Sequence, residues 1–153
     1  NKSSYEIINN NLSLAKMMKP LWDGCISSNN YEYLNFLEKE KIQHFSWSSQ
    51  ARGFFIKESF FKRMFRKKIN QKLKECFFSK ENLERKERAK KLSRKLGCSV
   101  NDIALAWVIS QNFPSYAIIG PKNTSHLGES FKCFSISLSP SEIKWLNLVD
   151  NIV

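Results

Sequence analysis

"AIIGPKNTSHLGES", residues 117–130, is the stretch on which the reading of the fold turns. Ala117-Ile118-Ile119 is an apolar, strand-like run, Gly120-Pro121 interrupts it, and Asn123 or Thr124 is placed to open a helix. A strand followed at once by a capped helix leaves unpaired backbone N–H groups beyond the strand's C-terminal end. With a glycine that permits close approach and Lys122 beside it, such a junction suits an anion, a phosphate above all. The same Gly-Pro turn also serves simply to connect two elements, so the neighbouring segments decide what it means.

Working outward, short strand candidates alternate with helical patterns. Tyr5-Glu6-Ile7-Ile8 comes first, then Gln43-His44-Phe45-Ser46-Trp47, then Tyr116-Ala117-Ile118-Ile119. Between the first two, "YEYLNFLEKE" (31–40) sets Tyr33, Phe36 and Leu37 on one helical face with charge on the other. Between the second and third lie "ENLERKERAKKLSRKLG" (81–97), a helix ended by Gly97, and "SVNDIALAWVISQNF" (99–113), which opens with the capping pattern Ser99-x-x-Asp102 and closes at Pro114. "SPSEIKWLNLVD" (139–150) has Ser139 as N-cap, Pro140 at the first helical position and Glu142 completing the box. No internal repeat or flexible linker divides the chain, so residues 1–153 read as one unit.

Strands alternating with helices of ten residues or more predict parallel α/β architecture. Two solutions compete, an open doubly wound sheet and a (β/α)₈ barrel. A dinucleotide-binding open sheet carries a G-x-G-x-x-G turn after its first strand. Gly24, Gly53, Gly97, Gly120 and Gly128 form no such cluster and no P-loop.

Composition narrows the classes. With 153 residues, 42% hydrophobic and 13% aromatic, the chain can bury a sizeable core and reads as folded. No run approaches the roughly 18 apolar residues of a membrane helix, and "NKSSYEIINNN" lacks a signal-peptide layout. The expectation is a soluble, cytoplasmic protein. Cys25, Cys76, Cys98 and Cys133 are scattered without a C-x-x-C pair, which fits buried reduced thiols rather than a metal site or a disulfide framework. The net charge of +11 lies in one stretch: between Lys57 and Lys95, 16 Lys or Arg stand against 5 Glu, and the remainder balances at 9 against 9. A basic stretch can meet nucleic acid, or it can be the solvated face of long helices. No zinc-finger, helix-turn-helix or RNA-binding signature accompanies this one, so no nucleic-acid partner is expected.

In barrel enzymes the chemistry lies at the C-terminal ends of the strands, and phosphate sites often form in the loops after the last two. Two consecutive strand ends here fit that role. After Trp47, "SSQARGFF" offers the hydroxyls of Ser48 and Ser49, the amide of Gln50, the cation Arg52 and Gly53; after Ile119 come Gly120, Lys122 and a helix start. Trp47 can stack on a flat ring or pack in a core. His126 lies on the first turns of the later helix, where a lone histidine is usually solvated, and His44, within a strand, reads as packing.

On these residues the chain resembles a known family. Residues 82–148, "NLERKERAKKLSRKLGCSVNDIALAWVISQNFPSYAIIGPKNTSHLGESFKCFSISLSPSEIKWLNL", resemble the C-terminal part of the aldo/keto reductases, above all in "VNDIALAWV", "AIIGPKN" and "LSPSEIKWL". "SWSSQARGFF" (46–55) looks like their loop after the seventh barrel strand, and "NNLSLAKMMKPLWDGC" (10–25) is similar to the sixth-strand region of one bacterial-type branch. The resemblance implies the C-terminal part of a (β/α)₈ barrel, about three parallel strand–helix units plus a C-terminal helix, corresponding to strands six to eight. It implies hydride transfer from NADPH, or NADH, to a small carbonyl substrate. Residue by residue, Trp47 falls on the aromatic that stacks on the nicotinamide, and Ser48, Ser49, Gln50, Arg52 and Gly53 on the loop around the pyrophosphate. Gly120, Lys122, Asn123, His126, Glu129 and Ser130 match the motif holding the adenosine ribose, its 2′-phosphate and the adenine.

Three positions depart from the family pattern: Ser49 where proline is usual, His126 where arginine or glutamine is common, and Ser130 where asparagine usually meets adenine. Lys122 keeps one cation for a 2′-phosphate. The family's Asp, Tyr, Lys and His catalytic set sits on early strands that have no counterpart here, so no catalytic and no metal-binding residue is assigned. A whole barrel takes roughly 250 residues, and the chain opens on Asn1. The expectation is a piece of a longer barrel whose N-terminal half is absent, inactive in isolation. The competing expectation is a truncated half-barrel that acts as a binding or assembly piece.

Overall fold

A computed structural model of the chain describes residues 6–56 and 71–149. Among these, the elements run β1 (Ile7–Ile8), α1 (Tyr31–Glu40), β2 (Gln43–Ser46), α2 (Gln71–Phe77), α3 (Lys80–Leu96), α4 (Val100–Ile109), β3 (Ser115–Ala117), α5 (Thr124–Phe131) and α6 (Pro140–Leu146). Tyr5, the start of the first predicted strand, and residues 57–70 of the basic stretch lie outside the described residues.

The three strands form one parallel sheet in the order β1-β2-β3, with Ile8 opposite His44 and Phe45 opposite Tyr116. The α/β class expected from the alternation is therefore the one observed. Strand ends shift by a residue or two. Trp47 joins only through an isolated bridge to Asn11, and β3 begins at Ser115 rather than Tyr116.

Local chemistry fixes the helix ends. Ser99 accepts a hydrogen bond from the Asp102 amide at 3.1 Å while the Asp102 carboxylate accepts from the Ser99 amide at 2.9 Å, closing the predicted box at the head of α4. The Ser139–Glu142 pair does the same for α6, with Pro140 in the first turn. Gly97 ends α3 in the left-handed conformation at φ 66°. Helix α4 stops at Ile109, short of Pro114, because the residue before a proline avoids helical backbone and the chain must turn into β3.

Helix α4 is the centre of the core. Ile103 through Val108 are all buried, the mark of a helix covered on every side. Leu12, Leu14, Leu37, Phe55, Phe77 and Leu146 belong to the same buried cluster, each burial contributing about 1.5–3 kcal/mol. On α1 only Leu37 of the predicted apolar face is fully buried; Phe36 is left 44% exposed because the helix seats Leu37 against the core and turns its neighbour outward. Helix α3 buries Ala89 and Leu92 together with the Arg85 side chain, which reaches Glu81 one turn away as Arg88 reaches Glu84. The described part of the basic stretch is thus a helix face laced with glutamates. Cys76 and Cys133 are buried as expected, whereas Cys25 and Cys98 are half-buried; all four are free thiols.

Among the described residues, one side of the sheet is covered and the other is not. Ile8 and Ala117 pack against the core, and His44 and Ser46 are fully buried. The alternate residues Ile7, Tyr116 and Ile118 are 56%, 47% and 42% exposed, and Phe45 stacks on Tyr116 across the ladder at 4.9 Å. Parallel sheets are ordinarily covered on both faces. No helix among the described residues is long and apolar enough to cross a membrane, and no cluster of His, Cys, Asp or Glu suited to a metal occurs among them.

Candidate cofactor site at the strand ends

The candidate residues occupy two loops that leave the same end of the sheet, because β2 and β3 are parallel neighbours. The first loop is held tightly. The Trp47 amide donates to the Asn10 carbonyl at 3.2 Å, and the Asn11 side-chain amide donates to the Trp47 carbonyl at 3.1 Å, so the exit of β2 is clamped from the end of β1. The Trp47 ring is half-buried and stacks on Trp22, with centroids 4.9 Å apart and planes 29° from parallel.

From Ser48 to Gly53 the backbone is unusual. Ser48, Ala51 and Arg52 take left-handed φ values of 50°, 47° and 53°, followed by Gly53 at 88°. Non-glycine residues in that region are uncommon, and such strain, on the order of 1–3 kcal/mol each, persists only where surrounding contacts over-determine it. Several do. Ala51, Phe54 and Phe55 are buried, the Lys86 ammonium donates to the Phe54 carbonyl, and the buried Ser49 hydroxyl donates to the Ile118 carbonyl at 2.8 Å. Gln50 is half-buried at the entry to a one-turn 3₁₀ helix, Ala51–Gly53, from which Arg52 projects as an exposed cation.

The second loop is open. Gly120 through Glu129 are exposed throughout. Asn123 is the N-cap of α5, its side-chain oxygen accepting from the His126 amide at 2.9 Å. Helix geometry leaves the preceding amides of Thr124 and Ser125 without an intrahelical acceptor. Gly120 has an ordinary φ, and a Cβ built there meets nothing within 4 Å, so no protein contact demands a glycine at that point. Lys122, His126 and Glu129 are likewise exposed. Ser130 differs: it is buried, and its hydroxyl donates back to the His126 carbonyl at 2.9 Å.

The structure thus gathers Trp47 through Gly53 beside the end of β3, with the Ser49–Ile118 bond joining the two loops. Ser49 and Ser130 spend their hydroxyl protons inside the protein. Sequence reasoning missed Trp22, Asn10 and Asn11, which position Trp47 from another segment. Nothing local in "PLWDGC" names the partner of Trp22. His44 does more than pack. It is fully buried, its Nε2 lies 2.8 Å from the Ser28 hydroxyl and its Nδ1 2.9 Å from that of Ser46. Burial holds its pKa down at about 4, so the ring is neutral and joins β2 to the chain before α1.

The profile of the Aldo/keto reductase family matches residues 16–151. The chain belongs to the aldo/keto reductase family. Among solved structures it is similar to a thermostable aldo-keto reductase, Tm1743, determined in complex with the inhibitor epalrestat, at 17% identity and a TM-score of 0.62. That match covers 94% of this chain and 39% of the other, so the chain spans well under half the length of this relative. At such identity the likeness is one of fold. Within the aldo/keto reductase barrel, the described sheet and helices are a part.

Proposed function

We propose that this chain is the cofactor-binding part of an NAD(P)H-dependent aldo/keto reductase, its three strands corresponding to strands six to eight and residues 1–153 forming one partial barrel domain. The observation that carries the reading is the pair of loops at the ends of adjacent parallel strands, joined by Ser49 and Ile118. Trp47, held at its backbone on both sides, supplies a flat apolar platform for the nicotinamide. The strained loop Ser48–Gly53, with Gln50 and Arg52, passes beside the pyrophosphate. Gly120 leaves room where no protein atom needs it, and Lys122, Asn123, His126 and Glu129 surround the adenosine end, with Lys122 opposite a 2′-phosphate and Ser130 beneath.

When bound, the reduced nicotinamide supplies a hydride to a carbonyl carbon. The residues of this chain bind and orient; the proton donor belongs to the family's Asp, Tyr, Lys and His set, which has no counterpart here. Lys122 supplies one cation for the 2′-phosphate of NADPH, NADH being the alternative cofactor, and a cytoplasmic setting belongs to the same reading.

The test is titration of the chain with NADPH, followed by tryptophan emission, beside a Trp47→Ala variant. Quenching that saturates in the wild type and weakens in the variant is expected. Unchanged emission up to about 1 mM, an affinity limit near −4 kcal/mol, rejects the reading.

The uncovered face carrying Ile7, Tyr116 and Ile118 favours a second reading, a half-barrel that works as a binding or assembly piece. Oligomers on size exclusion are expected from it; a well-behaved monomer with one sharp unfolding transition argues against it.

A further inference from the structure

The segment after β1 brings a thioether to two thiols that are distant in sequence. The Cys25 thiol donates to the Met17 sulfur at 3.7 Å, and the next residue along, Met18, donates its amide to the Cys76 carbonyl at 2.7 Å. Cys76 is buried on α2, while Met17 and Cys25 are half-buried against the same core. The two thiols feel one another's charge. Burial pushes the Cys76 thiol up, Cys25 and Glu75 push it the same way, and Lys72 and Arg52 act against them. Both cysteines are free.

Spacing and softness select what such a group can hold. Two sulfurs about 2.3 Å from one metal, at an angle between tetrahedral and trigonal, stand roughly 3.8–4.0 Å apart. The Met17–Cys25 pair, at 3.7 Å, is almost at that separation already. Thiolate and thioether are soft donors, which disfavours Mg, Ca and Mn and favours Cu(I). Structural zinc takes four ligands from Cys, His and carboxylates, and no group of three such residues is assembled among the described residues. Cu(I) is satisfied by fewer ligands and accepts a thioether among them. Cys25, the half-exposed member, gives the ion its way in from solvent.

We propose that Met17, Cys25 and Cys76 form a Cu(I) site, the ion held by two thiolates and one thioether. On binding, each cysteine releases its thiol proton to water as its sulfur donates a lone pair to the metal, and Met17 donates without losing a proton. The ion enters and stays as Cu(I), so no electron is transferred. The site stands apart from the cofactor reading, and none of its readouts uses NADPH.

The test gives the reduced full chain, without oxygen, Cu(I) as its acetonitrile complex in competition with the chromophoric chelator bicinchoninate. One equivalent should pass to the protein, and X-ray absorption should show three sulfur neighbours at about 2.3 Å. Met17→Leu, which keeps the volume and offers no lone pair, should weaken the hold by about tenfold and leave two sulfurs. Cys25→Ser should abolish the transfer, and Cys98→Ser, at a half-buried thiol outside the group, should change nothing. Retention of the ion by the chelator, nitrogen or oxygen neighbours, a shell that Met17→Leu leaves unaltered, or equal losses in Cys25→Ser and Cys98→Ser overturns the proposal. A measurement on the wild type alone guards against variants that fail to fold. Cu(I) should slow alkylation of Cys25 by iodoacetamide at least about tenfold, read by peptide mass, and leave Cys98 unprotected. Unchanged alkylation of Cys25, or equal protection of both thiols, overturns it too.

Discussion

The hydroxyl of Ser49 donates to the carbonyl of Ile118 at 2.8 Å, across 69 residues of sequence, and so joins the loop after β2 to the end of β3. Ser49 is 1% exposed, so the bond is sheltered from water. Ser49 thus ties together the two loops that leave neighbouring strand ends.

Ser49→Ala removes that tie. A net loss of about 1 kcal/mol is expected, since a typical intramolecular hydrogen bond contributes about 0.5–1.5 kcal/mol. In a chain of this size that lowers Tm by roughly 2–4 °C. Thermal unfolding by circular dichroism checks the stability term, and an unchanged Tm would mean that water replaces the hydroxyl without cost.

Lys122→Ala tests the adenosine end. One charge-assisted contact to a 2′-phosphate is worth about 1.4 kcal/mol, so NADPH affinity should fall about tenfold while NADH affinity stays within about twofold. Isothermal titration with both cofactors measures this. Equal losses for the two would remove Lys122 from the 2′-phosphate.

His44 makes stability depend on pH. Its folded pKa of about 4 lies below the unfolded value near 6.5, so between those values the unfolded chain binds more protons and stability falls as pH falls. The loss begins near pH 6.5 and reaches about 3 kcal/mol by pH 4, at 1.36 kcal/mol per unit. Urea unfolding at pH 7, 5.5 and 4.5 should show it. His44→Gln, a neutral residue that can still bond to Ser28 or Ser46, should flatten that part of the profile; an unaltered slope would assign the titration to other groups.

Asn82 joins the segment after β1 to α3. Its side chain accepts from the Lys16 amide at 2.9 Å and from Arg85 at 3.2 Å, and donates to the carbonyls of Lys16 at 2.8 Å and Phe77 at 2.9 Å. Asn82→Ala takes a partner from all four groups, one of them a guanidinium only 3% exposed that keeps Glu81, and should cost about 3 kcal/mol. Denaturant unfolding measures the cost. A loss below about 1 kcal/mol would show that solvent reaches these groups.

What the sequence determined on its own is local and periodic. Alternating patterns announced a parallel α/β fold, and Ser99-x-x-Asp102, Ser139-Pro140 and Gly97 marked helix ends, because caps act within one turn. The order of "SWSSQARGFF" and "AIIGPKN" placed both candidate loops after consecutive strands. Tertiary structure alone decided which distant groups meet. Trp22 reaches Trp47 across 25 positions, Ser49 reaches Ile118, and His44 finds Ser28 and Ser46, since long-range partners are chosen by how elements pack and leave no mark at either position. The burial of Ser130 belongs with these: a serine on a helix donates either outward or to the carbonyl one turn back, and only the packing of α5 determines which.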